Sequence, residues 1–298
     1  MTLRDDKWKD IIHLPKYEMM RTYLVDTFNE LIFKEDTHQY FIHGNELKSV
    51  SNVTHMFKPK FDSKTKAVET AKRNFNNPRS KYYKMTSDQI LESWNTIRDN
   101  ACDSGTNIHE FGESCFWYMI GKQENIYPEF RGRLKDDGFH SESEKEDAVV
   151  KFWIDLPKCF IPIAVENKIC REDLGYAGTF DMLFYYDAEI IGNSPDKSGF
   201  LIFDYKTNKD LYKNFGGETM LFPFRNMLNN PLNGYKLQLS LYQLALEPVG
   251  YKVIGRRIIW LHENGDYEKI STESYSNILE NQLIKNGKEH LYNYSSNS

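Results

Sequence analysis

GTFDMLFYY (Gly178–Tyr186) and FLIFDYK (Phe200–Lys206) are two strand-like apolar runs, each interrupted by charge, joined across the turn-rich segment GNSPDKS. Side chains alternate along a strand, so Ile202, Asp204 and Lys206 share one face of the second run and Leu201, Phe203 and Tyr205 the other. An aspartate and a lysine at the end of such a strand are costly to bury unless they are paired or bound to metal. In the first run Asp181 stands among Phe180, Met182, Leu183 and Phe184. A strand-end salt bridge with an edge aspartate accounts for either run alone. Taken together, two acids 23 residues apart on consecutive strands can converge on one hard cation, which prefers oxygen ligands. A lysine beside them can hold a water or a phosphate oxygen.

Outward from this pair, Ile161–Cys170 is a further strand before the turn segment REDLGYA. Downstream come a helix over Tyr235–Glu247 and strands at Lys252–His262 and Tyr267–Ile270, joined by the turn Glu-Asn-Gly-Asp and followed by a last helix. Towards the N-terminus, residues 1–30 read as helical and His38–Val53 as a β-hairpin around a Gly-Asn turn. Residues 63–75 and 86–121 read as helices, the second capped by Ser87. Tyr127–Asp137 reads as a loop and 141–155 as another helix. The expected fold is α/β, a mixed central sheet flanked by helices with an N-terminal helical elaboration. One domain is expected over 1–285 (1–160 mainly helical, 161–285 the core), followed by a polar tail over 286–298.

Hydrophobic residues make up 40 % of the 298-residue chain, enough for a sizeable core. No apolar run is long enough to span a bilayer, and the charged first ten residues do not read as a secretory or organellar signal. The expectation is a cytoplasmic protein without membrane partners (host cytoplasm if viral). The net charge of −5 hides a local excess: nine Lys and Arg residues lie between Lys58 and Lys84, interleaved with Phe57, Phe61, Phe75, Tyr82 and Tyr83. Such a stretch can be a solvated face, or a clamp in which phosphates meet cations and bases stack on rings. Cys102, Cys115, Cys159 and Cys170 are separated by 12, 43 and 10 residues, with no C-x-x-C pair to suggest zinc.

The order G-T-F-D, then D-Y-K-T, resembles the PD-(D/E)XK nuclease superfamily, with Phe180 in place of the nominal Pro and Asp204 where Glu is frequent. Two further marks are similar to the RecB-like exonuclease branch: His109 in SGTNIHEFGE, about 70 residues upstream, and Q-x-x-x-Y, here Gln238 and Tyr242. Gly105 and Gly112 flank His109 on its helical stripe and read as leaving the imidazole open. Glu166 matches an acidic position of many members, and HQYFIHGNELKSV is similar to the N-terminal hairpin of phage-type and mitochondrial genome-maintenance exonucleases.

The resemblance implies a restriction-endonuclease-like core forming a single nuclease domain. It also implies Mg²⁺ or Mn²⁺ held by His109, Asp181, Asp204 and the Tyr205 carbonyl. Lys206, Asp204, Asp181 and Glu166 would be catalytic, with Lys206 orienting or deprotonating water. Gln238, Tyr242, Lys72, Arg73 and Lys81 would meet substrate. The cysteines of relatives with an iron–sulfur cluster follow the catalytic core; here all four precede Asp181, so no such cluster is expected. The implied activity is a DNA exonuclease acting on single strands or duplex ends, with recombination, repair or replication proteins as partners. A structure-specific endonuclease with the same centre and a non-catalytic DNA-binding scaffold are the alternatives.

Overall fold

A computed structural model describes residues 1–214 and 216–295, with side chains up to Lys285 in the last helix. The chain forms two compact units, residues 1–58 with 109–298, and residues 59–108.

The larger unit begins with β1 (Thr2–Leu3), α1 (Pro15–Thr27), β2 (Ile32–Lys34), β3 (Gln39–Ile42), β4 (Asn45–Ser49) and α2 (Val50–His55). The smaller unit holds α3 (Ser63–Asn74) and the start of α4 (Ser87–Met119), a helix that belongs to the larger unit from His109 onward. After it come β5 (Leu134–Lys135), β6 (Gly138–His140), α5 (Glu144–Asp155), β7 (Phe160–Arg171), β8 (Tyr176–Tyr186) and β9 (Gly199–Lys206). The chain continues through α6 (Pro231–Leu246), β10 (Val253–Leu261), β11 (Tyr267–Ser271) and α7 (Ser276–Ser295). The main sheet is mixed, in the order β11-β10-β9-β8-β4-β3-β2, and β7 runs antiparallel along β8. β9 pairs parallel with β10 and antiparallel with β8.

The alternation read from Phe200–Lys206 has its packing counterpart. Phe152 on α5 packs edge-on against Phe184 and Tyr205 and tilted against Phe203, which seals the sheet face that carries Phe203. α6 packs on β7, β9 and β10 and brings Tyr235 over Lys206. A parallel β9–β10 pair needs a crossover, and α6 supplies it.

β8 is also where the sheet opens. Its residues 182–186 pair with β9 and its residues 176–177 with β4, so among the described residues the segment Gly178–Asp181 makes no ladder pair on that edge. Gly178 explains part of the gap: a Cβ there would lie 2.7 Å from Val50 of α2 and 3.0 Å from the Tyr242 ring of α6. Two helices therefore close on the strand at a residue with no side chain. Gly178→Ala is expected to overpack this junction and lower unfolding free energy by about 1–3 kcal/mol, read by urea denaturation. An unchanged urea midpoint would mean that the helices yield freely.

Several local expectations are corrected. Residues 1–14 are not helical: Thr2–Leu3 pairs with β6, and the helix starts only at Pro15, whose fixed φ and missing N–H suit a first turn. The hairpin turns at His43–Gly44, both at positive φ, not at Gly44–Asn45. Val50–Val53 belongs to α2, because the Ser49 hydroxyl accepts from the Asn52 amide and caps a helix there. The α4 cap is Thr86, not Ser87: Thr86 Oγ1 accepts from Gln89 N while Gln89 Oε1 accepts from Thr86 N. The loop expected over Tyr127–Asp137 contains the 3₁₀ turn Pro128–Arg133 and β5. Of the expected tail, α7 carries residues 286–295, and residues 296–298 lie outside the described residues.

A buried aspartate, paired with a half-exposed lysine, anchors α1 to the main sheet's end. Asp187, 1 % exposed, accepts from Lys16 Nζ at 2.5 Å and Tyr17 OH at 2.6 Å, and from the Glu189 amide. Burial alone would raise its pKa, but these donors outweigh burial and hold it below the ordinary aspartate range. A depressed folded-state pKa gives stability that is present above the unfolded value, roughly 3.9, and lost as pH falls through the folded value. Asp187→Asn is therefore expected to cost about 1.5–3 kcal/mol at pH 7, with the gap to wild type closing below pH 4 in urea titrations. A gap that stays constant with pH would show that the carboxylate charge is not what matters.

Candidate metal centre

β7, β8 and β9 bring three carboxylates into one row. The β8–β9 register pairs Met182 with Phe203, so one further step sets Asp181 opposite Asp204. On the other side Val165 faces Met182 and Asn167 faces Phe180, which sets Glu166 opposite Asp181. Past Phe203 the two strands separate, and the Asp181 carboxylate takes over the pairing: its Oδ2 accepts from the Tyr205 amide at 2.7 Å.

His109 of α4 joins the row. Its Nδ1 lies 3.2 Å from Asp181 Oδ2 and 3.8 Å from Glu166 Oε1. His109, Glu166 and Asp181 each offer a donor atom within 4.8 Å of the others, a partly buried cluster able to coordinate a metal ion. Oxygen and nitrogen ligands about 2.1–2.4 Å from one ion stand roughly 3–4.8 Å apart, so the spread fits. Asp204 is fully buried; Lys206 Nζ sits 2.5 Å from its Oδ2, while Oδ1 has no hydrogen-bond partner among the described residues. An orphaned carboxylate oxygen beside two further acids favours an added cation.

The electrostatics follow from that crowding. Burial, then the negative Asp181, pushes Asp204 up to about 6 despite Lys206. Burial also raises Asp181, against the pull of His109 and Lys206. For His109 burial disfavours the charged ring, but Asp181 and Glu166 outweigh it and lift the imidazole to about 9. Burial opposes the Lys206 charge as well, yet Asp204 and Asp181 drive its pKa above the ordinary lysine value. Lys206 is thus held as a cation, further steadied by the Tyr235 ring 4.4 Å from Nζ.

Glu166 carries a feature no sequence pattern announced. Its φ is +43°, a left-handed conformation in the middle of β7 that costs an L-residue about 1–2 kcal/mol. Strained backbone of this kind concentrates at functional positions.

Tyr205 is tied to the site through its amide, and its ring is buried against Phe152. Gly112 does not open space around the imidazole as expected. A Cβ there would stand 2.5 Å from the Tyr205 ring, so this glycine makes room for the tyrosine behind Asp204 and Lys206. Gln238 Nε2 donates to Tyr242 OH at 2.9 Å, and burial raises the Tyr242 pKa strongly, with Asp204 adding to it. Lys72, Arg73 and Lys81 belong to the smaller unit, with Lys72 and Arg73 in the last turn of α3 and Lys81 over the Tyr82 ring. One ring of the expected clamp is not available for bases: Phe57 is core, against Phe224. Tyr82 is partly exposed, and its hydroxyl accepts from the Trp94 indole.

Three residues around Lys206 escaped the sequence reading: Asn208, Tyr235, whose hydroxyl donates to Asn208 Oδ1, and Trp260, whose indole donates to the Asn208 carbonyl. A tryptophan at the end of a strand adjacent to D-Y-K was the available signal. Among the described residues no helix is long and apolar enough to cross a membrane, and the four cysteines are free. No protein-family model matches the chain and no curated protein matches it in sequence, so the functional reading stands on the geometry of this centre.

Proposed function

We propose that the chain is a metal-dependent deoxyribonuclease with a restriction-endonuclease-like core, and that it acts as an exonuclease on single-stranded or end-processed DNA. The observation that carries this reading is the row Glu166–Asp181–Asp204 with His109 at one end and a charged Lys206 at the other. His109, Glu166 and Asp181 would hold Mg²⁺ or Mn²⁺, with Asp204 beside them; imidazole among the donors favours Mn²⁺. A divalent cation so placed supplies Lewis acidity towards a phosphate oxygen and lowers the pKa of a bound water.

The chain's own groups do the rest. Lys206, paired with Asp204, would donate to the phosphate or orient the attacking water and offset charge as it grows in the transition state. The Tyr205 amide fixes the Asp181 carboxylate. The hydrogen-bonded pair of partly exposed Gln238 and buried Tyr242 supports the same region from α6. A purely structural ion-pair cluster would satisfy its buried oxygens, whereas Asp204 Oδ1 has no hydrogen-bond partner among the described residues.

The test is hydrolysis of 5′-labelled single-stranded DNA with Mg²⁺, Mn²⁺ or EDTA, alongside a circular single strand. Cutting with metal and not with EDTA, confined to the linear strand, is the expected result. Equal cutting of the circle would make it an endonuclease. No cutting with any metal while DNA still binds would leave a scaffold.

A further inference from the structure

The rings at the end of the β9–β10 pair are arranged as a surface rather than as core. In the parallel register Trp260 lies directly beside Lys206, so its side chain and the lysine emerge from neighbouring strands at the same level. The indole is fixed by its bond to the Asn208 carbonyl at 2.6 Å. Outward from it, His262 stands 4.5 Å away and Tyr212 6.0 Å away, centroid to centroid. Tyr212 is 51 % exposed, and Trp260 and His262 are partly exposed. A satellite core would cover such rings. The segment that carries Tyr212 also bears Lys209 and Lys213, both exposed, with Asp210 turned back to accept from the Tyr212 amide. Aromatic faces flanked by lysines match the bases and phosphates of an unpaired strand, while a duplex keeps its base faces stacked on each other.

We propose that Trp260, His262 and Tyr212 form a stacking platform for the unpaired nucleotide adjoining the phosphate at the metal centre. The inference rests on the nuclease reading and deepens it, because it makes unpaired DNA the favoured substrate. Stacking of one base is worth roughly a tenfold change in affinity or more.

The probes are fluorescent dT12, an abasic 12-mer with the same phosphates and a 12-bp duplex, titrated by anisotropy into the full chain with Ca²⁺. Wild type is expected to favour dT12 over the abasic strand by about tenfold. Tyr212→Ala and His262→Ala should erase that preference without weakening duplex binding, and Tyr212→Phe should retain it. Equal affinity of wild type for dT12 and the abasic strand, or a preference untouched in both alanine variants, overturns the platform. Thermal melts of the variants identify any loss that comes from unfolding. Hydrolysis of bis(p-nitrophenyl) phosphate with Mn²⁺ separates the two ideas, since it tests the metal chemistry without a base. Its cleavage with no base preference sinks the platform alone, and base preference without any cleavage sinks the nuclease reading alone.

Discussion

Lys206→Met is expected to lower metal-dependent cleavage by about 10²–10³-fold, the typical cost of removing one donor from a developing anionic centre. The same change should be felt in stability. Lys206 is the cation paired with fully buried Asp204, at 2.5 Å, and removing one partner of a buried pair costs about 3–5 kcal/mol. Asp204 limits that cost by taking up a proton, since burial and Asp181 already raise its pKa and loss of Lys206 raises it further. The double variant Asp204→Asn/Lys206→Met leaves no buried charge at the pair, so it should regain most of the lost stability and none of the activity. Urea denaturation of wild type, Lys206→Met, Asp204→Asn and the double variant gives the coupling directly as a double-mutant cycle. Additive losses would mean that Lys206 does not compensate Asp204. A Lys206→Met protein that cleaves at the wild-type rate would remove the lysine from the chemistry altogether.

The residues in that cycle were legible because a charged pair in an apolar, alternating strand has few alternative explanations. Period-2 alternation set Asp204 and Lys206 on one face, and the sheet keeps them there, with Phe203 and Tyr205 sealed by Phe152 on the other. The later strands were readable for the same reason, as the turn Glu-Asn-Gly-Asp leaves little freedom between β10 and β11. What escaped depends on contacts distant in sequence. Nothing around Gly112 shows that Tyr205 will lie against it, 93 positions later in the chain. The left-handed Glu166 sits in an unremarkable strand pattern, and its conformation answers to Asp181 and His109, which other elements supply. At the hairpin both His-Gly and Gly-Asn could turn; the pairing of Ile42 with Asn45 leaves His43 and Gly44 as the turn residues.

Glu166→Asn separates the backbone's role from the carboxylate's. Asparagine tolerates the left-handed region better than glutamate and keeps a polar side chain, but it carries no charge. In EDTA the variant is expected to unfold within about 1 kcal/mol of wild type, because relief of strain and of repulsion with Asp181 offsets the lost contact with His109. With Mn²⁺ the two proteins should part. A ligand bound only to the native state stabilises it by about 2.7 kcal/mol at one hundred times its Kd. Wild type should gain that much, while a site reduced to His109 and Asp181 gains a small fraction of it at the same concentration. The order of the melting temperatures would then depend on the metal and not on the fold. Equal gains for both proteins would remove Glu166 from the ligand set and leave its strained conformation without a role in metal binding. A gain in wild type alone would tie the strain at φ +43° to the purpose of turning a carboxylate towards His109 and Asp181.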